Sequence, residues 1–300
     1  MSRKGANGSA LWTRLGIDQP AGWWPAIARL KSYEAAGFRY TQVRMPPRGV
    51  LSEPALAVRH ACTLRERFEL TGLRLILHAP DDLLAGSTEH DQQFRGALRY
   101  ARLAGAEIVV YHGARLPVAM RGVRTRLEAE ARSLRRLVPA AEDGGIRIAI
   151  ENLAPVYPGP PHVCHDPAAV AELAHSLDSD HVGVCLDLGH AHIVASIARR
   201  PLLELIEPAL PHAILFHVHD NFGARVKAEC AGQVEPLRLD LHLPPGAGCV
   251  PWETLAPRLA RHRAPVQLEI HPAGRPEPGT LAVLAREVLG LGEGGVVAAR

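Results

Sequence analysis

Eight short apolar runs, separated by longer segments with apolar residues near helical spacing, constrain the fold more than any other feature of the chain. They are RLGID (14–18), FRYTQV (38–43), LRLILH (73–78), EIVVYH (107–112), IRIAIE (146–151), VGVCLD (182–187), AILFHVH (213–219) and VQLEI (266–270). Segments 24–36, 53–71, 89–104, 121–142 and 167–177 lie between them and read as helices. Strand-like runs alternating with helix-like segments are the pattern of consecutive βαβ units, and eight such units predict an α/β fold, a single (β/α)8 TIM barrel. The 300 residues suit one such barrel, for which about 250 is typical. One domain over 1–300 is expected, with an ordered core at about 11–290 and frayed ends at 1–8 and 292–300. Gly37, Gly72, Gly105 and the Gly144-Gly145 pair fall where helices hand over to strands. Only the connection 220–251 breaks the rhythm, and long connections in compact domains are functional or mobile.

Composition removes several function classes. Hydrophobic residues make up 47% and charged residues 22%, enough apolar surface to bury a core and too much for a disordered chain. The net charge of +3 is mild and its arginines are spread over presumed outer helices, which disfavours a nucleic-acid partner. Lysine occurs only at Lys4, Lys31 and Lys227, so no predicted strand offers the nucleophile of a Schiff-base mechanism. Cys62, Cys164, Cys185, Cys230 and Cys249 are odd in number and lack CxxC spacing, which fits a reduced, cytoplasmic protein. No apolar stretch approaches the ~20 residues of a membrane span, and the N-terminus lacks a signal-peptide pattern.

Six of the runs end in, or beside, a metal-binding type of side chain: His78, His112, Glu151, Asp187, His217 and Glu269. A lone His or Asp at a strand end is more often a helix cap or a hydrogen-bonded loop residue. In a parallel barrel, however, all these ends meet on one face, and polar groups beside an apolar core must be paired, which a shared cation does for several at once. Two further motifs add ligand types. CLDLGHAH sets Asp187 and His190 three apart across a strand-to-helix turn, and DLHLPPGAG sets Asp240 and His242 two apart, able to face one side of an extended segment.

The set LHAP, VVYHG, IAIEN, LDLGH, FHVHD, DLHLPPGAG and LEI resembles, in order and spacing, the endonuclease IV family within the xylose isomerase-like barrel superfamily, over nearly the whole chain. The resemblance implies a trinuclear zinc site. His78 and His112 would hold a first ion bridged through Glu151 to a second, which would also take Asp187, His217 and Glu269; His190, Asp240 and His242 would hold the third. Imidazole with carboxylate suits zinc or manganese better than calcium. The implied activity is hydrolysis of a phosphodiester or phosphate ester, with Glu151 and Glu269 as the catalytic carboxylates.

Departures from that family redirect the substrate. The loop APDDLLAGSTEHD places Asp81 and Asp82 where a DNA backbone would approach and offers no aromatic wedge, favouring a small molecule or a nucleotide-containing cofactor over duplex DNA. Arg44 and Arg48 in RMPPRGVL read equally as phosphate binders or solvated charges. The competing function is a metal-dependent sugar or sugar-phosphate isomerase or epimerase, which would resemble only the subset Glu151, Asp187, His217 and Glu269 around one ion and use the two glutamates for proton transfer. A binding protein on a retained fold is a third class. Cys164 and Cys185 read as small apolar fillers, and His192, His219 and His271 as supports of neighbouring ligands, with His219 the alternative to His217 as ligand. Trp12, Trp23, Trp24 and Trp252 read as core or lid packing.

Overall fold

The computed structural model describes residues 13–20, 22–156, 159–224 and 239–290. Strands β1 (Leu15–Asp18), β2 (Tyr40–Arg44), β3 (Arg74–His78), β4 (Ala106–Tyr111), β5 (Arg147–Glu151), β6 (Val182–Asp187), β7 (Ala213–Val218) and β8 (Val266–Leu268) pair in parallel, each with its sequence neighbour. β8 returns to β1, with Leu15 opposite Val266 and Ile17 opposite Leu268, closing the barrel. Every apolar run of the sequence coincides with one strand, β2 and β4 each reaching one residue beyond their runs. His112, His219 and Glu269 stand just past the last paired residue of their runs, where the chain leaves the ladder for the barrel mouth.

Helices follow the strands in the expected alternation: α1 (Ile27–Ala35) after β1, α2 (Arg48–Ser52) and α3 (Pro54–Glu69) after β2, α4 (Thr88–Ala104) after β3 and α5 (Val123–Gly144) after β4. α6 (Pro167–Ser176) follows β5, α7 (Leu188–Ala198) and α8 (Leu202–Ile206) follow β6, α9 (Trp252–Arg261) follows β7, and α10 (Pro278–Val288) follows β8. Gly105 and Gly145 end α4 and α5 with φ of 76° and 65°, left-handed caps that let the chain turn directly into β4 and β5. Among the described residues no helix is long and apolar enough to cross a membrane. Trp12, Cys230, both expected frayed ends and residues 225–238 of the long connection lie outside the described residues.

Strand parity places the site. One apolar cluster, Tyr40, Ile76, Ile108, Val110, Ala149, Cys185 and Leu215, fills the barrel interior, while the alternate positions, such as Leu75, Leu77, Val109 and Tyr111, pack outward against the helices. Side chains two apart on a strand share a face. Two residues beyond the inward Tyr40, Ile76, Val110, Ala149, Cys185 and Leu215 stand Gln42, His78, His112, Glu151, Asp187 and His217, lifted one layer toward the mouth. β1 and β8 complete the rule differently: Gly16 leaves room for the buried Gln267, whose amide oxygen a Cβ at Gly16 would strike, and Glu269 follows Gln267 by two.

Candidate metal centre

All nine residues singled out in the sequence come together at the C-terminal mouth, in three adjoining groups whose candidate ligand atoms lie within 4.8 Å of one another inside each group. The first contains His78, Asp81 and His112. The rings of His78 and His112 meet edge-on at 4.6 Å, and their Nε2 atoms stand 3.6 and 3.3 Å from Glu151 Oε2. The second group is Glu151, Asp187, His217 and Glu269, in which His217 Nδ1 is 3.3 Å from Glu151 Oε1, 3.7 Å from Asp187 Oδ2 and 3.5 Å from Glu269 Oε2. The third is His190, His219, Asp240 and His242, with Asp240 Oδ2 3.4 Å from His190 Nε2 and 3.2 Å from His242 Nε2. Two carboxylates link the groups. Glu151 turns Oε2 to the first and Oε1 to the second, while Asp187 turns Oδ2 to the second and Oδ1 to His219 Nε2 at 3.1 Å.

The protein backbone and one amide fix which ring nitrogen faces inward. His78 Nδ1 donates to Ala79 O at 2.8 Å, His190 Nδ1 to Asn152 O at 2.9 Å and His242 Nδ1 to Glu269 O at 3.0 Å, leaving each Nε2 lone pair directed at the carboxylates. His217 is reversed: its Nε2 donates to Gln42 Oε1 at 2.9 Å, so Nδ1 faces the second group. Gln42 in turn donates its NH2 to Glu269, an arrangement that also settles the orientation of its amide. Asn152 bonds the backbone of Asp187 in both directions, and Asp187 Oδ1 caps α7 through His190 N at 2.7 Å, so the same carboxylate that faces the donor groups also caps the helix.

Electrostatics are those of tightly packed imidazole and carboxylate. Burial alone would raise the pKa of Glu151, but His217 and His112 outweigh it and hold the carboxyl well below its ordinary range. Burial likewise opposes ionisation of Asp240, and His190 and His242 hold it well below the usual value. Burial disfavours charge on His217 and His242 too, yet Glu269 and Glu151 around the first and Asp240 beside the second lift both to about 9. Glu151 Oε2, Asp187 Oδ2 and both ring nitrogens of His219 are buried and make no well-aligned hydrogen bond within the protein, although His219 Nε2 and Glu151 Oε2 have close ionisable neighbours. Buried polar atoms in that condition are costly, and a cation among several converging donors is what would satisfy them. The donor set therefore fits divalent metal ions.

Several expectations change. His219 is no mere support: it stacks on His242 at 3.9 Å and joins the third group, while His217 joins the second, so the two histidines serve different groups rather than competing for one place. Gly189 exists for this packing, since a Cβ there would collide with the His219 ring. Asp81, read as a repulsive surface charge, stands 3.5 Å from His112 Nδ1. Arg44 pairs with Asp81 at 3.5 Å and Arg48 with Asp82 at 2.8 Å, so each arginine is matched by an acid of the next loop. His192 binds Asn221 Oδ1 at 2.8 Å, and the His271 ring caps the turn Pro272–Gly274. Cys185 lies one layer beneath Asp187, its thiol pushed up by burial and the carboxylates above, yet its sulfur comes within 4.8 Å of ligand atoms of Glu151 and His217, so it borders the second group; Cys164 is buried and pushed up to about 11 by burial. Trp252 is buried with Nε1 on Asp220 and is no lid, whereas Trp23 and Trp24 are 42% and 45% exposed, Trp24 stacking on His60. Gln42 was missed altogether. Its signal was parity: it is the polar residue two beyond an inward Tyr40, on the same face of the strand.

Comparison with known proteins agrees with the fold. A family described as "Xylose isomerase-like TIM barrel" matches residues 30–289. An uncharacterized protein of Methanocaldococcus jannaschii, MJ1311, is 28% identical over 174 residues, 55% of this chain and 57% of that protein, so the chain matches little more than half the length of this relative. Among solved structures, a D-tagatose 3-epimerase-like protein superposes with a TM-score of 0.68 at 22% identity, over 93% of this chain and 97% of that one. The IolI protein, solved with a bound zinc atom, superposes with a TM-score of 0.67 at 16% identity, over 92% of this chain and 96% of that one.

Proposed function

Since the chain belongs to the xylose isomerase-like TIM barrel family, we propose that it is a divalent-metal-dependent enzyme that isomerises or epimerises a small hydroxylated substrate, a sugar or sugar phosphate. The observation that carries this reading is the second donor group: Glu151 from β5 and Glu269 from β8 approach His217 Nδ1 to 3.3 and 3.5 Å, so two carboxylates flank one position. Glu151, Asp187, His217 and Glu269 would hold the ion, with zinc favoured and manganese the alternative by donor type. When bound, a divalent ion there would supply Lewis acidity toward a carbonyl oxygen, which acidifies the C–H next to that carbonyl. The two glutamates then provide a base on one side and an acid on the other. Gln42 holds Glu269 and the His217 ring in place for both roles. The zinc-bearing and epimerase-like structural neighbours support the choice of chemistry, and the odd number of cysteines supports a reducing, cytoplasmic setting.

A second reading, hydrolysis of a small phosphodiester or phosphate ester, is favoured by one specific feature. The first and third donor groups, His78, Asp81 and His112 with His190, His219, Asp240 and His242, are more than a single-ion isomerase needs, and adjoining ions suit phosphoryl chemistry. The double variant Asp240→Asn, His242→Ala separates the two readings. Assayed on a ketose and aldose panel and on bis(p-nitrophenyl) phosphate, with folding checked by circular dichroism, it should keep appreciable sugar interconversion, because the second group is untouched. Phosphodiester cleavage by the wild type that disappears in the double variant, with no sugar turned over by either, would replace the first reading by the second.

A further inference from the structure

The mouth arginines fall into two sets. Arg44 is matched by Asp81, Arg48 by Asp82 and Arg275 by Asp18. Arg115 and Arg126 form no ion pair with any carboxylate among the described residues; the one side-chain bond of Arg115 runs from its guanidinium to Ala154 O at 3.3 Å, a contact that orients the group without neutralising it. Both line one cavity of about 380 Å3 between the loops after β3 and β4, together with His90 and Ser87, and that cavity opens onto Asp81 and His112 of the first donor group. Its volume lies in the range of small-ligand sites. Two uncompensated guanidinium groups beside a cleft raise the local concentration of anions and offer forked donors matched to a phosphate.

Backbone geometry keeps the cavity open. Gly86 and Gly113 line it with φ of 126° and 68°, conformations that side-chain-bearing residues rarely adopt. The buried Glu130 ties its walls together, accepting from Tyr111 OH at 2.7 Å and from Ala114 N at 2.9 Å, while Tyr111 OH accepts from Ala85 N. Gly86 N is fixed by Ser133. The loops that carry Asp81 and His112 are thus braced by the same network that shapes the cavity.

We infer that this cavity is an anion subsite that takes the phosphate group of a phosphorylated small substrate, with Arg115 and Arg126 as its charge partners and the donor cluster acting on the remainder of the molecule. The inference rests on the cluster being the substrate site. It also moves the phosphate-binding role away from Arg44 and Arg48, whose charges are already met.

Inorganic phosphate is the probe. Binding to the zinc-loaded protein is measured by calorimetry for the wild type, for Arg115→Gln with Arg126→Gln, and for Arg124→Gln, a control on the same helix whose side chain is 92% exposed and paired with Glu128. All three substituted positions, Arg115, Arg124 and Arg126, are exposed, so circular dichroism and zinc content should match the wild type. The expected result is saturable phosphate binding weakened roughly tenfold or more in the double variant and unchanged in the control. Equal affinity in wild type and double variant would put the phosphate on the donor cluster instead and overturn the inference, as would a wild type that binds no phosphate at millimolar concentration. Zinc content, read on the same preparations, tests the metal reading separately: a wild type without metal that still binds phosphate through the arginines would sink that reading and leave the subsite standing.

Discussion

Six of the nine residues read from the sequence could be found as metal-binding side chains at strand ends and His190, Asp240 and His242 from their short motifs, yet their residue-level chemistry depends on partners that the sequence does not display. Gln42 and the backbone carbonyls of Ala79, Asn152 and Glu269 decide which nitrogen of the His217, His78, His190 and His242 rings faces inward, and no residue type in the sequence announces those contacts. His242 itself adopts φ of 49°, a left-handed conformation costly for a side-chain-bearing residue, of the kind that persists where surrounding structure holds it for function. The charge pattern gives a prediction with a definite sign. His217 and His242 are lifted to about 9 by neighbouring carboxylates that outweigh burial, above the ordinary value of about 6.5. With metal removed by a chelator, both rings carry protons at neutral pH. Their stabilising contribution is complete below about 6.5 and is lost as pH rises through about 9. The chelated protein should therefore show a falling Tm from about pH 7 to 9.5. Metal needs neutral imidazoles, so adding zinc at pH 7 in weak buffer should release protons and flatten that fall. Zinc binding without proton release would show that these rings are not protonated ligands in waiting.

At the scale of elements, the strands and most helices followed from periodicity, whereas the loop that delivers Asp240 and His242 did not. Asp220 organises it. Its carboxylate is fully buried and accepts from Asn221 N at 2.9 Å, Gly246 N at 2.8 Å, Val250 N at 3.0 Å and Trp252 Nε1 at 2.9 Å, while its backbone pairs with Leu243 in both directions. Gly248 is required here because a Cβ would strike Asp220. In the sequence this residue is only the last letter of FHVHD, one step past a histidine that looks more chemical, and nothing local tells a loop anchor from a ligand. Asp220→Asn keeps the volume but replaces one accepting oxygen by a donor, so part of the set is left unsatisfied. The expected cost is about 1–3 kcal/mol in urea unfolding, with faster hydrogen exchange at Gly246 and Val250 than at β4. Unchanged exchange at those two amides would show that Asp220 is not the anchor.

For the whole molecule, parity is what joins fold to site. An inward layer of Tyr40, Ile76, Val110, Ala149, Cys185 and Leu215 is capped, two residues later on those six strands, by a polar layer, so closing the barrel assembles the first two donor groups, and the Asp220-anchored loop adds Asp240 and His242 to the third. That much was readable, because a period of two and strand polarity are local properties of the chain. Pairings across loops were not: Arg44 with Asp81, Arg275 with Asp18, and the unmatched Arg115 and Arg126 depend on how neighbouring connections pack, which no local pattern encodes. The central claim is that the three donor groups hold divalent ions, and anomalous diffraction from crystals soaked in zinc tests it most directly. The account predicts peaks within ligand distance, about 2 Å, of His217 Nδ1 with Glu269, and further peaks at the His78 and His112 Nε2 atoms and at the His190 and His242 Nε2 atoms. Well-ordered crystals with no peak among these side chains at saturating zinc would contradict it.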